Sequence, residues 1–462
     1  SLAGGSPPAE KMDQLWRELL SCTGHAILWL WKDDYAERLD QARRTHALGR
    51  HALHEALGAI TQQVRFRPKL GRPLMVFNFH GWPATGPVEF LLEGDPAGVL
   101  LRDGEGHPVP MQAAGARRSG GLPVAFIAEG VPACGYKTYY LSRAEKKAGP
   151  AQPEVTEGPG TIENDRFRIR VQLDGKLEVF DKARSVALGK AEQGGLGDVV
   201  FYDAPAPKNW QMNGPLGPRH DWSPDSKALR SCQGPVFGSL WTAGKLGPHA
   251  LTRQVRLYRA SRRIDYLVGI DAGDGCGVFC IRFPVGIDGR VTAGIPFGAE
   301  PREDFDRQPF RGEYFVRGCP EGYYAMRWTD VSTPELGYTF ACPAGMYTGY
   351  AWRKKEQALE FILHRVRPMP QGTWGQVSPS VAGKGRHRWH CALVPHQGTW
   401  REAASYRDAL ELHVPLLAFS PYLGAGRGSA DGKQPLGGNQ RDDAASFADV
   451  GPAGGGLSAL RL

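Results

Sequence analysis

Catalysis needs titratable groups brought together, so the paired ones are the first places to look. Three adjacent pairs stand out: His220-Asp221, Asp33-Asp34 and Asp442-Asp443. Neighbours along a strand point to opposite faces, so His220 and Asp221 do not share a site. Each Asp-Asp pair is most simply a solvated pair. A His-x-Asp spacing is absent, as are His-Glu-x-x-His and Gly-x-Ser-x-Gly. Gly194-Gly195-Leu196-Gly197 lacks the Lys and the following helix of a phosphate loop. The eight cysteines contain no CxxC pair and match no zinc framework. Cys276 and Cys280 flank an apolar, strand-like run and read as buried free thiols. A small disulfide scaffold is excluded by size.

The elements that would position any such group divide into two kinds. Residues 10–66 read as helical, with Met12, Leu15 and Leu19, and later Leu53, Leu57 and Ile60, falling on one face. Lys32 to Arg50 is polar and Ala-rich and suits an exposed helix. Pro68 and Gly71-Arg72-Pro73 end the pattern. From Leu74 the period becomes 2, in short runs split by Gly and Pro. Phe167, Ile169, Val171 and Leu173 alternate on one face before an Asp174-Gly175 turn, and Leu177 and Val179 resume the pattern. That is a β-hairpin signal. The alternation recurs at Ile264–Ile270, Leu359–Leu363 and Trp389–Leu393.

These patterns predict a mainly β protein. A short helical-bundle remnant occupies 1–70 and a small β-sandwich 71–144. A linker spans 145–160 and a large antiparallel β-sandwich 161–420. A Gly- and Ala-rich tail, 421–462, reads as disordered, and its last residues, "SFADVGPAGGGLSALRL" (446–462), resemble the stub of a final β-domain. The 60 Gly and 36 Pro fit many turns, and 12 Trp and 15 Tyr fit β cores or sugar-binding surfaces. The net charge of +8, from 56 basic and 48 acidic residues, is scattered and forms no stripe, so nucleic acid is excluded as a partner. No run approaches transmembrane length and no secretory signal is present; the chain reads as soluble, and its compartment is left open, with the cytoplasm favoured.

Several segments, in order, resemble glycoside hydrolase family 38, the α-mannosidases. They are "LLSCTGHAI" (19–27), "FNFHGWPATGPVEF" (77–90), "IENDRFRIRVQLDGKLEVFDKARS" (162–185), "SRRIDYLVGID" (261–271), "IRFPVGIDGRVTAGIPFGAEPRE" (281–303) and "GRHRWHCALVPHQGTWR" (385–401). The resemblance covers most of 10–420 and implies a galactose-mutarotase-like super-sandwich for the large β region. It also implies a retaining hydrolysis of α-mannosides, in which one carboxylate attacks the anomeric carbon and a second serves as acid and then base. A zinc ion grips the sugar hydroxyls. In the family, the nucleophile and three zinc ligands belong to an amino-terminal α/β domain. No segment here resembles that domain, so no catalytic residue is assigned. The ends of the chain read as cut.

By the same resemblance His25 is a zinc ligand, although Ala26 stands where the family carries Asp. One His cannot hold zinc, and a lone His on an apolar helix face also reads as a core residue. Zinc is therefore expected for the complete enzyme and not for this chain alone. The segment "FYDAPAPKNWQMNGPLGPRHDW" (201–222) matches a family loop that rims the sugar pocket. Tyr202, Asn209, Trp210 and Arg219 offer aromatic faces and hydroxyl-binding donors, and Arg302 is a further candidate. An irregular loop seated on Trp210 and Trp222, and a surface Arg capping a turn, are the plainer alternatives.

The expected ligand is thus an α-mannoside or glycan, and the expected partner a separate chain carrying the catalytic α/β domain. Alone, the chain is expected to be inactive. A non-catalytic carbohydrate-binding or structural β-module, or a truncated gene fragment, are the alternatives.

Overall fold

The computed structural model describes residues 9–22, 32–144, 149–204, 216–302, 322–323, 325–341, 349–368, 382–420 and 444–446. The chain divides into two units, the first drawn from Ser1–Gln152 and Pro415–Leu462, the second from Pro153–Gly375 and Pro379–Val414. The protein is mostly β, with several antiparallel sheets and few helices.

In the first unit the predicted helices form as Ala9–Cys22 and Lys32–Thr61. They touch through Cys22 and Thr45 and through an ion pair of Lys11 with Glu55. The long helix lays Leu57 and Ile60 against Met75, Phe77, Tyr136 and Phe419. Burying each such apolar side chain is worth about 1.5–3 kcal/mol. Trp16 and Leu19 of the first helix stay 54% and 42% exposed, so its apolar side is left uncovered.

Alternation explains why the strand Arg72–Asn78 is buried along nearly its whole length. Its odd residues face the helix, while Leu74 and Val76 face the sandwich core of Val88, Val124, Phe126, Tyr139 and Leu141. The "FNFHGW" segment has a structural task here. Asn78 Nδ2 donates to the carbonyls of Trp82, Val131 and Pro132, at 2.8, 3.1 and 3.0 Å.

Two boundaries differ from the sequence expectation. Glu154–Glu157, placed in the linker, is a strand pairing with Arg230–Gln233. Its side chains are all exposed, so it is held by backbone hydrogen bonds rather than an apolar pattern. Leu417–Phe419, placed in the large sandwich, pairs with Arg72–Asn78, with Phe419 opposite Met75. Phe419 then packs with Phe77, a contact between residues too distant in the chain for local pattern to reveal. In the tail, Ala444–Ser446 pairs with Gly135–Arg143, and the remainder lies outside the described residues.

The second unit holds sheets of eleven, six and four strands, paired antiparallel. The predicted hairpin forms: Phe167–Val171 pairs with Leu177–Asp181, with Val171 opposite Leu177. Gly175 sits at φ +78°, which glycine adopts without steric cost. Leu173 departs from the expected face and is 68% exposed, because the strand ends at Val171 and Leu173 belongs to the turn. Tyr266, Val268, Ile270, Leu359, Phe361, Leu363, Cys391 and Leu393 are all buried in one core, as their alternation requires.

Polar residues inside this unit form closed networks. Asp330 receives hydrogen bonds from Ser332 and Thr339, each at 2.7 Å, and pairs with His396 Nε2 at 2.8 Å. Ser405 joins through Thr339. All five side chains are buried, so this Ser-His-Asp grouping is a structural tie without access for a substrate.

Candidate functional site

The six-stranded sheet orders Arg219–Asp221, Asp198–Asp203, Gly277–Pro284, Ala358–Val366, Tyr350–Arg353 and Gly322–Tyr323. One face packs Val199, Phe201, Phe279, Ile281, Phe283, Leu359 and Phe361 into the main core. The alternate positions point to the other face, and there the polar residues line up across strands. Asp198 lies opposite Arg282, Arg282 opposite Glu360, and Tyr202 opposite Arg219.

Glu360 is the hub of this ladder. It is 1% exposed and accepts from Tyr202 Oη at 2.6 Å and from Arg353 Nε at 2.9 Å. Arg282 Nε stands 3.7 Å from it, and Arg282 Nη2 donates to Glu356. Arg219 bridges to Glu356 at 3.4 Å and to Asp221 at 3.3 Å. Burial, reinforced by the charge of Glu360, pushes the Tyr202 phenol far above its ordinary value. Tyr202 therefore stays neutral and donates. Partial burial works against the Arg219 charge, but the acidic groups around it, Asp221 first and then Tyr202, Glu356 and Glu360, together raise that pKa.

Beside the ladder lies a cavity of about 460 Å³, lined by the Asp174–Lys176 turn, Glu192–Gly195, Asp198, Arg219, Asp221, Trp222 and Arg282, among others. Its walls are tied together by Arg253, which is 1% exposed. Arg253 donates to the carbonyl of Gly175 in the hairpin turn, to the carbonyl of Gly197 at 3.0 Å, and to Asp198 Oδ1 at 2.8 Å. Its guanidinium also lies 4.8 Å over the Trp222 ring. Gly195 N–H donates to the second Asp198 oxygen at 2.7 Å. Burial still raises the Asp198 pKa, with Arg253 opposing. Gly197, at φ +85°, allows the close turn, since a Cβ there would sit 2.2 Å from the Tyr266 ring.

Of the residues singled out from sequence, Tyr202 and Arg219 come together on this face. Tyr202 is buried and its hydroxyl is committed to Glu360, whereas Arg219 lines the cavity. Arg302 adjoins the eleven-stranded sheet instead, pairing with Glu300 at 3.2 Å. His25, Asn209 and Trp210 lie outside the described residues. His220 bonds Asp203 at 2.7 Å while Asp221 faces Arg219, as strand alternation predicts. Sequence reasoning missed Arg253, Arg282, Glu356 and Glu360. The signal for three of them was present: Ile281-Arg282-Phe283, Leu359-Glu360-Phe361 and Leu251-x-Arg253-x-Val255 each set one charge within an apolar alternation.

Among the described residues, one group of three metal-binding types converges: Asp103, Glu105 and His107. One Asp103 oxygen already accepts from the N–H groups of Glu105 and His107, at 3.0 and 2.8 Å, and the other faces the His107 ring at 3.3 Å. Turn closure accounts for it. Among the described residues no group brings two His and two Asp together.

A histidine pair near one end of this sheet makes stability depend on pH. His364 and His387 stack with centroids 3.7 Å apart, and both face the Gly383 carbonyl, at 2.5 and 3.2 Å. Burial chiefly lowers the His364 pKa to about 4, from 6.5. A depressed folded pKa contributes stability above pH 6.5 that is lost as pH falls towards 4. The expected loss is on the order of 2 kcal/mol at pH 4.5. In urea unfolding at pH 7 and 4.5, His364→Gln should show a smaller difference between the two midpoints than the unaltered chain. Equal differences would refute the assignment.

Residues 162–373 of this antiparallel β protein match the Glycosyl hydrolases family 38 C-terminal domain. The chain is 26% identical over 302 residues to alpha-mannosidase 2C1 of Mus musculus, covering 62% of this chain and 27% of the relative. It is 25% identical over 299 residues to alpha-mannosidase 2C1 of Homo sapiens, with the same coverage of 62% and 27%. The chain thus spans about a quarter of the length of these curated relatives. An alpha-mannosidase structure from Enterococcus faecalis V583 shares the fold, with TM-score 0.69 and 14% identity over 92% of this chain and 54% of that one. Among the described residues, no helix is long and apolar enough to cross a membrane.

Proposed function

We propose that this chain is the helical and β portion of a retaining, zinc-dependent α-mannosidase acting on terminal α-mannosides. The family 38 match over 162–373 carries the reading. The carboxylate nucleophile and most zinc ligands are supplied by the α/β domain of such an enzyme, and zinc binds only in the completed enzyme. Arg219 paired with Asp221 offers a donor and an acceptor side by side, which suits the hydroxyls of a glycan. His25, Asn209, Trp210 and Arg302 keep the roles that the resemblance gives them. The uncovered Trp16 and Leu19 support a docking role for the first helix.

The test is hydrolysis of an aryl α-mannoside by the purified chain with added zinc, beside a metal-content assay. The expected result is no turnover and no stoichiometric zinc for the chain alone, with turnover once the α/β domain of a family 38 enzyme is added. Turnover with bound zinc by residues 1–462 alone would overturn the placing of the catalytic groups in the α/β domain. A non-catalytic carbohydrate-binding module is the second reading, favoured by the place of Arg219 in a cavity whose described lining belongs entirely to the second unit.

A further inference from the structure

We infer that His249, His364 and His387 form a latch that holds one end of the second unit closed while they are neutral and lets that end open in acid. Two crossovers between the large sheets meet here, one from Ile264–Ala272 to Gly277–Pro284 and one from Ala358–Val366 to Gly385–His396. Each is pinned by imidazole. In the first, the Gly273 N–H donates to His249 Nδ1 at 3.0 Å. In the second, the Gly383 carbonyl faces Nε2 of both His364 and His387. Between the pins runs a seam of rings. His387 stacks on His364 at 3.7 Å and His364 on Phe279 at 6.2 Å, while His249 lies 4.8 Å from Phe279 and 5.1 Å from Phe201. His364 and Phe279 belong to the six-stranded sheet, His249 and His387 to the eleven-stranded one, so the seam ties sheet to sheet.

Charge conflicts with these contacts. A backbone N–H only donates, so His249 Nδ1 must be bare, and a proton there ends the bond to Gly273. Two imidazolium rings stacked at 3.7 Å repel, and among the described residues no carboxylate pairs with any of the three histidines. The other charged groups nearby bring no relief. Arg367 and Asp203 act on the Cys276 thiol, and the Asp203 carboxylate is held by His220 at 2.7 Å. Lys384 is paired with Asp274. Burial lowers the His249 pKa. Burial first, then the charges of His387, His249 and Arg365, lower His364 to about 4, against the Gly383 bond. In the open form each ring meets water and regains a value near about 6.5. Acid below that value therefore favours opening, and the first charge wets the seam for the next. More than one proton enters per opening.

The experiment is amide hydrogen exchange of the full chain across the range from pH 7.5 to 4.5, corrected for intrinsic rates. Opening at 272–280 and 382–388 should rise on the order of 50-fold over that range, more steeply than one proton per opening, and reverse on neutralisation. Residues 237–241 and 337–341, towards the far end of the sheets, should keep their protection. His249→Gln leaves an oxygen for the Gly273 N–H, and His364→Phe keeps a ring against His387. Each should lower the steepness, and the double variant should remove most of the rise. Circular dichroism at pH 7.5 checks that the variants fold, and the exchange pattern of the unaltered chain decides the matter if they do not. Unchanged protection at pH 4.5, an even loss throughout the second unit, or a folded double variant that opens like the original overturns the inference.

Discussion

Arg253→Leu should lower the stability of the second unit by about 3–5 kcal/mol, because it strands a buried carboxylate. For a unit of this size that is a fall of about 10 °C in Tm. The leucine keeps apolar contact beneath Trp222 but removes the donors serving Gly175, Gly197 and Asp198. Asp198, with a side chain 13% exposed, then keeps the Gly195 N–H and the weaker influence of the Lys176 charge. Burial already raises its pKa, so without Arg253 the carboxyl takes up a proton at higher pH. Arg253→Leu combined with Asp198→Asn should therefore recover part of the loss. Scanning calorimetry of the single and double variants measures both. A single variant within about 1 kcal/mol of the original chain would refute the account.

Glu360→Ala is expected to cost a similar amount, about 3–5 kcal/mol, since it takes the buried carboxylate away from Arg353 and leaves Arg282 with its contact to the half-exposed Glu356. Glu356→Gln is the contrasting case. It also contacts Arg282, yet its side chain is 47% exposed, and a pair with one partner in water is worth about 0–1 kcal/mol. Urea midpoints of the two variants should differ accordingly. A second readout isolates the Tyr202 contact. Burial raises its pKa first, and the Glu360 charge adds to that. Glu360→Ala should bring the phenol down while leaving it above an exposed tyrosine, as followed by ultraviolet titration. A Tyr202 titration unmoved by the change would show that the two groups are not coupled.

The parts of the fold that were legible in the sequence were those set by neighbours along the chain. Helix-period leucines located the helix that carries Leu57 and Ile60, and strict alternation located Phe167–Val171 and its Asp174-Gly175 turn. Where alternation was absent the reading failed. Glu154–Glu157 has no apolar face and looked like a linker, because backbone pairing leaves no side-chain pattern. In the site, Tyr202 and Arg219 were found through a family resemblance, while Arg282 and Glu360 passed unnoticed as lone charges in apolar strands.

The sequence by itself determined that the chain is mainly β, that it resembles the family 38 β region, and which residues of each strand share a face. Period-2 geometry allows nothing else once one face is apolar. Only the tertiary structure decided which faces meet. Tyr202 and Glu360 stand 158 residues apart and become partners because their strands flank Gly277–Pro284 in one sheet. Arg253 likewise reaches the hairpin turn from a strand of a different sheet. Such pairings depend on the loss of water from both partners at once, a condition that no local run of residues encodes.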